Sequence, residues 1–177
     1  MTYTISPADL GVPVAVSLPI ILEYQAMGNW CWAAIGAAAA NFQTPTHPRS
    51  QYEVAATVTN NPLCGGRVPP GFCDTMHDVA SALDLLGVAY ARKEKALRWD
   101  ELSAALGSGC PVIARLQWSS GRGHVVMIAG YAEHQQVVVL DSEAGARLVR
   151  LASFPNEYRV GGTWTHSYVV KAAAPTP

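Results

Sequence analysis

The sequence predicts an α+β domain in which a helical half precedes an antiparallel sheet. Apolar residues recur at helical spacing as far as Gly109, whereas from Pro111 onward they alternate with a period of two. Helices followed by strands are typical of α+β folds. The 177 residues are 50% hydrophobic and 14% charged, which suits one domain with a substantial core. We expect a single domain over residues 1–177, helical to about residue 109 and β over about 110–171, with a tail over 172–177.

Four helices are predicted in the first half. The run from Trp30 to Asn41 is so rich in alanine that its helix must pack closely against neighbours on all sides. A weaker pattern predicts a second helix over Gln51–Thr59. Asp74 has the side chain of an N-cap and is expected to begin a third helix over Thr75–Leu86. A short fourth helix is predicted over Trp99–Leu106.

Five strands are predicted in the second half, separated by short turns. If the second and third strands form a hairpin around His134-Gln135, paired residue numbers sum to about 269. That register brings Asp141 to within a few residues of His124, at the same edge of the sheet. The predicted strands are Val112–Trp118, His124–Ala132, Gln136–Asp141, Arg147–Ala152 and Thr163–Lys171.

Composition argues against nucleic-acid and membrane partners. The net charge is −1 and the basic residues are scattered, whereas a phosphate-binding surface needs clustered Lys and Arg. No apolar run approaches the roughly 20 residues that span a bilayer. The apolar stretch Leu10–Leu22 is broken by two prolines and lacks a basic segment before it, so no signal peptide is predicted. We expect a cytoplasmic protein, a protein secreted by a Sec-independent route, or a module of a longer chain.

The four cysteines suggest different roles. Cys64 and Cys73 bracket a turn-rich loop that a disulfide could close, with a stabilisation of about 2–3 kcal/mol. The alternative is a zinc site with His77 as third ligand, but the spacing fits no known zinc motif, so neither metal nor cofactor is predicted. Cys110, at a strand entry, is expected to be buried.

Cys31 is the candidate nucleophile. It lies between Trp30 and Trp32 at the start of the alanine-rich helix, where free N–H groups and the helix dipole stabilise a thiolate. Gln25, six residues upstream, carries an amide that can donate a hydrogen bond to an oxyanion beside the sulfur. The alternative is that Cys31 is an inert residue of the core.

His124 is the candidate base because it opens an apolar, rigid strand directly after Gly123, which allows close approach of a substrate. The next strand ends in Asp141, which could orient the imidazole, and Glu143 is the fallback acceptor. The alternatives are that His124 merely begins a strand and that the two carboxylates belong to a solvated turn.

These residues together resemble the papain-like cysteine proteases. Gln25, Cys31 followed by Trp32, a Gly-His strand and a later strand ending in an acid occur in the order of that superfamily. The segment Trp-Cys-Trp-Ala-Ala resembles a bacterial branch that includes type III and type VI secreted effector proteases, in which a short Cys-containing loop follows the central helix. The chain departs from plant and lysosomal members at Gly28 and Trp30, and it has an aspartate where papain has asparagine.

The resemblance implies a papain-like fold and an endopeptidase with a catalytic triad. Cys31 would be the nucleophile, His124 the base and acid, Asp141 the orienting residue and Gln25 the oxyanion donor. It also implies a protein or peptide substrate and, for an effector, a cognate immunity or inhibitor protein. The departures near the nucleophile mean that substrate-pocket residues do not follow from the resemblance. We expect Trp30, Trp32 and Gly123, which flank Cys31 and His124, to contact the substrate, and the alternative for the large aromatic residues is a place in the core. The same catalytic residues could instead serve an acyltransferase or deamidase, or the chain could be a catalytically idle peptide-binding module.

Overall fold

The computed structural model describes residues 4–156, 158 and 162–172, and within them it has four α-helices and nine strands. The mixed architecture with a large antiparallel sheet confirms the α+β prediction. In chain order the elements are β1 (Thr4–Ile5), β2 (Val16–Ser17), β3 (Leu22–Glu23), α1 (Cys31–Gln43), α2 (Gln51–Thr59), α3 (Val79–Leu85), β4 (Tyr90–Lys93), α4 (Trp99–Gly107), β5 (Val112–Trp118), β6 (Gly123–Ala132), β7 (Gln136–Asp141), β8 (Gly145–Arg150) and β9 (Gly162–Val170).

The main sheet has the strand order β4-β9-β5-β6-β7-β8, and β2 pairs with the end of β6. Its pairs are antiparallel. Strands β6 and β7 are almost wholly buried, as expected of strands covered on both faces, and β5 is buried over four of its seven residues. One of these covers is α1, which packs against β6 and, on its other sides, against α2, α3 and β3.

Helix α1 is buried from Trp32 to Ala40, as its alanine content predicts. Small side chains let the neighbouring elements approach its backbone closely. At Gly36, for example, an added β-carbon would lie only 3.4 Å from Ala82 of α3. The helix that carries the candidate nucleophile is therefore fixed by packing on all sides.

Three details of the elements differ from the sequence prediction. The third helix begins at Val79 and is capped by Asp78, which accepts from the Ala80 N–H at 3.1 Å. Asp74 is not its N-cap; the Asp74 carboxylate accepts from the Asn29 N–H at 2.7 Å. The fourth predicted strand runs over Gly145–Arg150 and ends in a 3₁₀ turn. Strands β1 to β4 were not predicted: β1, β2 and β3 have only two residues each, and β4 is a short edge strand with exposed charged residues and no apolar alternation.

A bulge in β6 corrects the predicted hairpin register. Near the turn the β6–β7 pairs lie one residue from the predicted register, and beyond Ala129 the register shifts by a second residue, so that Met127 pairs with Leu140. Side chains alternate between the faces of a strand, so one shift would turn Asp141 away from His124 and two shifts keep them on the same face. Together the two shifts bring Asp141 two residues nearer to His124.

The remaining sequence predictions concern cysteines and membranes. A disulfide joins Cys64 and Cys73. Cys110 is half-buried, with its thiol 3.8 Å from the Ser108 carbonyl oxygen, so the prediction that it is buried is wrong. None of the helices in the described residues has the length and apolar character needed to cross a membrane.

Candidate active site

Cys31 is the first residue of α1 and is half-buried. The side chain of the N-cap residue, Trp30, makes no hydrogen bond to the first turn of the helix, and the Cys31 N–H has no acceptor among the described residues. The first turn also contains no acidic residue. The positive end of a 13-residue helix therefore faces the thiol without compensation.

The loop before Cys31 is held by the segment that follows the disulfide loop. Trp30 Nε1 donates to the Cys73 carbonyl at 2.8 Å. Asn29 donates from its N–H to Asp74 Oδ1 at 2.7 Å and from Nδ2 to the Asp74 carbonyl at 3.2 Å. These bonds fix the turn from which the nucleophile projects.

His124 and Asp141 form a buried hydrogen-bonded pair. His124 Nε2 lies 2.9 Å from Asp141 Oδ1, and the two side chains are 7% and 0% exposed. The same imidazole interacts with Cys31 as a hydrogen-bond and charge partner. The structure thus brings together Cys31, His124 and Asp141, which come from α1, β6 and β7.

The pair shifts both pKa values toward the charged forms. Burial lowers the pKa of His124, but the hydrogen bonds and charges of Asp141 and Cys31 outweigh it and raise the pKa from 6.5 to about 9. Burial raises the pKa of Asp141, but His124, Tyr158 and the Glu143 N–H outweigh it and lower the pKa from 3.8 to about 2. Near neutral pH the pair is an imidazolium and a carboxylate.

Asp141 has two further partners that orient it. The Tyr158 hydroxyl donates to Oδ2 at 2.6 Å, and the Glu143 N–H donates to Oδ1 at 2.8 Å. Glu143 therefore contacts Asp141 through its backbone, and Asp141 is the acid that meets His124. Tyr158 was not anticipated, because its segment has only the pattern of a turn between strands.

Gln25 links the two halves of the site. Its Nε2 donates to the Met27 and Gly28 carbonyls at 3.0 and 2.9 Å, and its Oε1 accepts from Ser142 Oγ at 2.9 Å. The Gln25 N–H also donates to the Ser142 carbonyl at 2.8 Å. Both amide hydrogens are therefore directed at carbonyls of the loop before Cys31.

A two-armed cleft opens at the Cys31–His124 contact. We call one half the arginine arm, after Arg115, and the other the tryptophan arm, after Trp118. Their volumes are about 330 and 320 Å³. Both arms are lined by Asn29, Cys31, Met76, Gly123 and His124; the arginine arm adds Trp32, His77, Asp78, Val79, Arg115, Gly121 and Val125, and the tryptophan arm adds Gly28, Trp118, Ser120, Arg122 and Glu143.

The aromatic residues predicted at the substrate site differ in position. Trp32 lines the arginine arm with its indole donating to the Thr75 carbonyl, and Gly123 lines both arms. Trp30 is fully buried and lines neither arm, so its expected contact with substrate is not present. Trp118 stacks on the His124 ring with centroids 6.4 Å apart.

The disulfide between Cys64 and Cys73 argues against the alternative of a zinc site at these residues. The sulfurs of Cys64 and Cys73 are bonded to each other and so are not free thiolate ligands, and the His77 ring lies 3.0 Å from Thr75 Oγ1. Within the described ranges, no three His, Cys, Asp or Glu side chains converge in a way that could hold a metal ion.

The comparison with known families matches the chain over the region that contains this site. The model of the Peptidase_C39 like family matches residues 17–163, which include Gln25, Cys31, His124 and Asp141. No curated protein matches the chain. The family match covers most of the 177 residues and its members are cysteine peptidases of the papain-like class. The chain therefore belongs to the Peptidase_C39-like family.

Proposed function

We propose that the protein is a papain-like cysteine endopeptidase with Cys31, His124 and Asp141 as its catalytic triad. The observation that carries this proposal is the buried His124–Asp141 pair, 2.9 Å apart, beside a cysteine at an uncompensated helix N-terminus. In this proposal residues 1–177 act as one domain, and its helical half and its sheet half form the two walls of the cleft.

The reaction follows from the charges of these groups. The Cys31 thiolate attacks the carbonyl carbon of the scissile peptide, and the carbonyl π electrons move to oxygen to form an oxyanion. The imidazolium of His124 then protonates the leaving amine, and a thioester remains on Cys31. Neutral His124 next deprotonates a water molecule, which attacks the thioester and releases the acid product and the thiolate. Asp141 holds the imidazole in place and stabilises its cationic form.

The oxyanion requires donors near the sulfur. The N–H of Cys31, which has no acceptor in the described part of the chain, is one donor in this proposal. Gln25 is the other, and it must redirect the amide hydrogen that now points to the Gly28 carbonyl. This bond is exposed, whereas the bond to Met27 is partly buried, so the Gly28 bond is the one we expect to be released.

The first test is the rate of Cys31 alkylation by iodoacetamide between pH 4 and 9, followed by intact mass. We expect rapid labelling below pH 7 that His124→Ala slows sharply, with Cys110 as an internal control because it is also a free cysteine. Labelling of Cys31 that rises only near the ordinary thiol pKa of about 8.5 would contradict the ion pair.

The second test is peptide cleavage by the wild-type chain and by Cys31→Ala. Cleaved products that disappear in the variant support a peptidase. A product with a new acyl group or a glutamine converted to glutamate would identify the acyltransferase or deamidase alternative. Peptide binding by a wild-type chain that neither labels rapidly nor turns over substrate would identify an idle binding module.

The resemblance of Trp-Cys-Trp-Ala-Ala to effector proteases supports a narrower proposal, that the enzyme is a delivered bacterial effector with a cognate inhibitor. Its test is expression inside target cells, with Cys31→Ala as the matched control. Growth arrest by the wild type alone supports the effector role, and equal growth of both strains contradicts it.

A further inference from the structure

The arginine arm of the cleft contains a cation beside the reacting residues. Arg115 lies on β5 next to β6 and is half-buried. A β-carbon added to Gly123 would be 3.5 Å from Arg115 Nη2, so the guanidinium lies against the residue that precedes the base. In the sheet, Arg115 pairs with Val125 and Leu116 pairs with His124, so the side chains of Arg115 and His124 leave opposite faces of the sheet. The two residues meet at the edge of the cleft, where both line the arginine arm together with Cys31.

Most hydrogen-bonding capacity of Arg115 is unused. A guanidinium has five N–H donors, and among the described residues the side chain makes one bond, from Nη1 to Thr165 Oγ1 at 3.1 Å. In the described part of the chain, no carboxylate lies within 4.0 Å of the Arg115 guanidinium, the distance within which the charged groups of the ion pairs in this molecule lie. A half-buried cation with no carboxylate partner among the described residues is costly and is suited to binding an anion.

Asp78, the acidic residue of the same arm, has other partners. Its Oδ1 accepts from the Ala80 N–H at 3.1 Å at the start of α3. Burial and then the negative charge of Asp78 raise the pKa of the Tyr168 hydroxyl. One oxygen of Asp78 is thus engaged in helix capping, whereas Arg115 makes a single hydrogen bond among the described residues.

We propose that Arg115 is a specificity-determining residue, and that the arginine arm binds an acidic side chain of the substrate within two residues of the scissile bond. Glutamate or aspartate would meet the guanidinium through paired N–H···O bonds, a geometry that a carboxylate matches and that lysine lacks. This inference rests on the proposed function, because it assigns a substrate class to the same site.

The test is a peptide library randomised at two positions on each side of the cleaved bond. We expect wild-type protein to favour glutamate or aspartate over glutamine by about tenfold at one of these positions, since a charge-assisted pair is stronger than a neutral one. Arg115→Met, which keeps the apolar stem, is expected to reduce that ratio to about threefold or less, and Arg115→Glu to reverse it in favour of lysine.

The matched control is Arg150→Met, since Arg150 is an exposed arginine at the end of β8 and lies outside the cleft. This variant is expected to keep the wild-type ratio. An equal preference for glutamine and glutamate in wild-type protein would overturn the inference, as would an acidic preference that Arg115→Met leaves intact.

A binding measurement separates this inference from the proposed function. Calorimetry with Cys31→Ala compares matched glutamate and glutamine peptides without requiring turnover. If the wild type cleaves peptides but neither assay shows an acidic preference, the inference fails and the peptidase stands. If no peptide is cleaved but glutamate peptides bind more tightly and Arg115→Met removes the difference, the proposed peptidase function is wrong. The assignment of the arginine arm as a binding site for an acidic side chain is then supported.

Discussion

Replacement of Asp141 by asparagine tests the charge balance around His124 most directly. The side chain keeps its size and one acceptor oxygen, but it loses the negative charge that faces the imidazole. The pKa of His124 stands about 2.5 units above its ordinary value of 6.5, which corresponds to about 3 kcal/mol in favour of the protonated form. Among the effects that raise it, the hydrogen bond to Asp141 is the largest.

We therefore expect Asp141→Asn to lower the pKa of His124 by at least about one unit, or about 1.4 kcal/mol, from about 9 to about 8 or below. The assay is NMR titration of ¹³C-labelled histidine, with the His124 resonance assigned as the one that His124→Asn removes from the five. Asp100→Asn, at an exposed ion pair, is the matched control and should leave the His124 titration unchanged.

The same change has a defined effect on stability. His124 has a raised pKa in the folded state, so its contribution is complete below pH 6.5 and is lost as the pH rises through about 9. In Asp141→Asn this loss should still begin near pH 6.5, which the unfolded state sets, but it should be smaller and finish at lower pH, as urea unfolding at a series of pH values will reveal. A His124 pKa that stays near 9 in the variant would refute the assignment of Asp141 as its main charge partner.

Three further changes test other contacts. Tyr158→Phe removes the 2.6 Å bond to Asp141 and should cost about 1–3 kcal/mol in urea unfolding; it should also raise the pKa of Asp141, so that acid unfolding occurs at higher pH. Gly162→Ala places a methyl group against the Trp118 ring, where there is no space, and should lower stability by about 1–3 kcal/mol and alter tryptophan fluorescence. Reduction of the Cys64–Cys73 disulfide should cost about 2–3 kcal/mol, and an unchanged Tm after reduction would contradict that.

The elements that were predictable from the sequence are those whose structure depends on the spacing of apolar residues within one segment. The alanine run from Trp30 predicts a buried helix with Cys31 at its start, and the structure confirms the helix. Alternation of apolar residues predicts the strands that end in Asp141 and begin near His124. The period of apolar residues is a property of neighbouring residues, so the sequence of one segment is enough to predict its helix or strand.

Features that depend on tertiary contacts were not predictable in this way. The bulge at Ala129 arises where β6 meets both β7 and the edge strand β2, and no local pattern marks it. Aspartate is a residue type that often caps helices, but the Asp74 carboxylate accepts a hydrogen bond from the Asn29 N–H, 45 residues away in sequence. Trp30 beside a cysteine suggests a cleft wall, yet its indole reaches the Cys73 carbonyl inside the core.

The hydrogen bond between Gln25 and Ser142 has a consequence for the stage of folding at which the active site forms. It joins two points 117 residues apart in sequence, one next to the turn that presents Cys31 and one next to Asp141. Contacts of such long range form late in folding, because closing a long loop costs entropy before the contact stabilises anything. A nascent or partly folded chain therefore has its thiol and its imidazole in separate, unassembled segments. We expect peptidase activity to emerge with the final cooperative step of folding, which would protect unfinished chains from cleavage by one another.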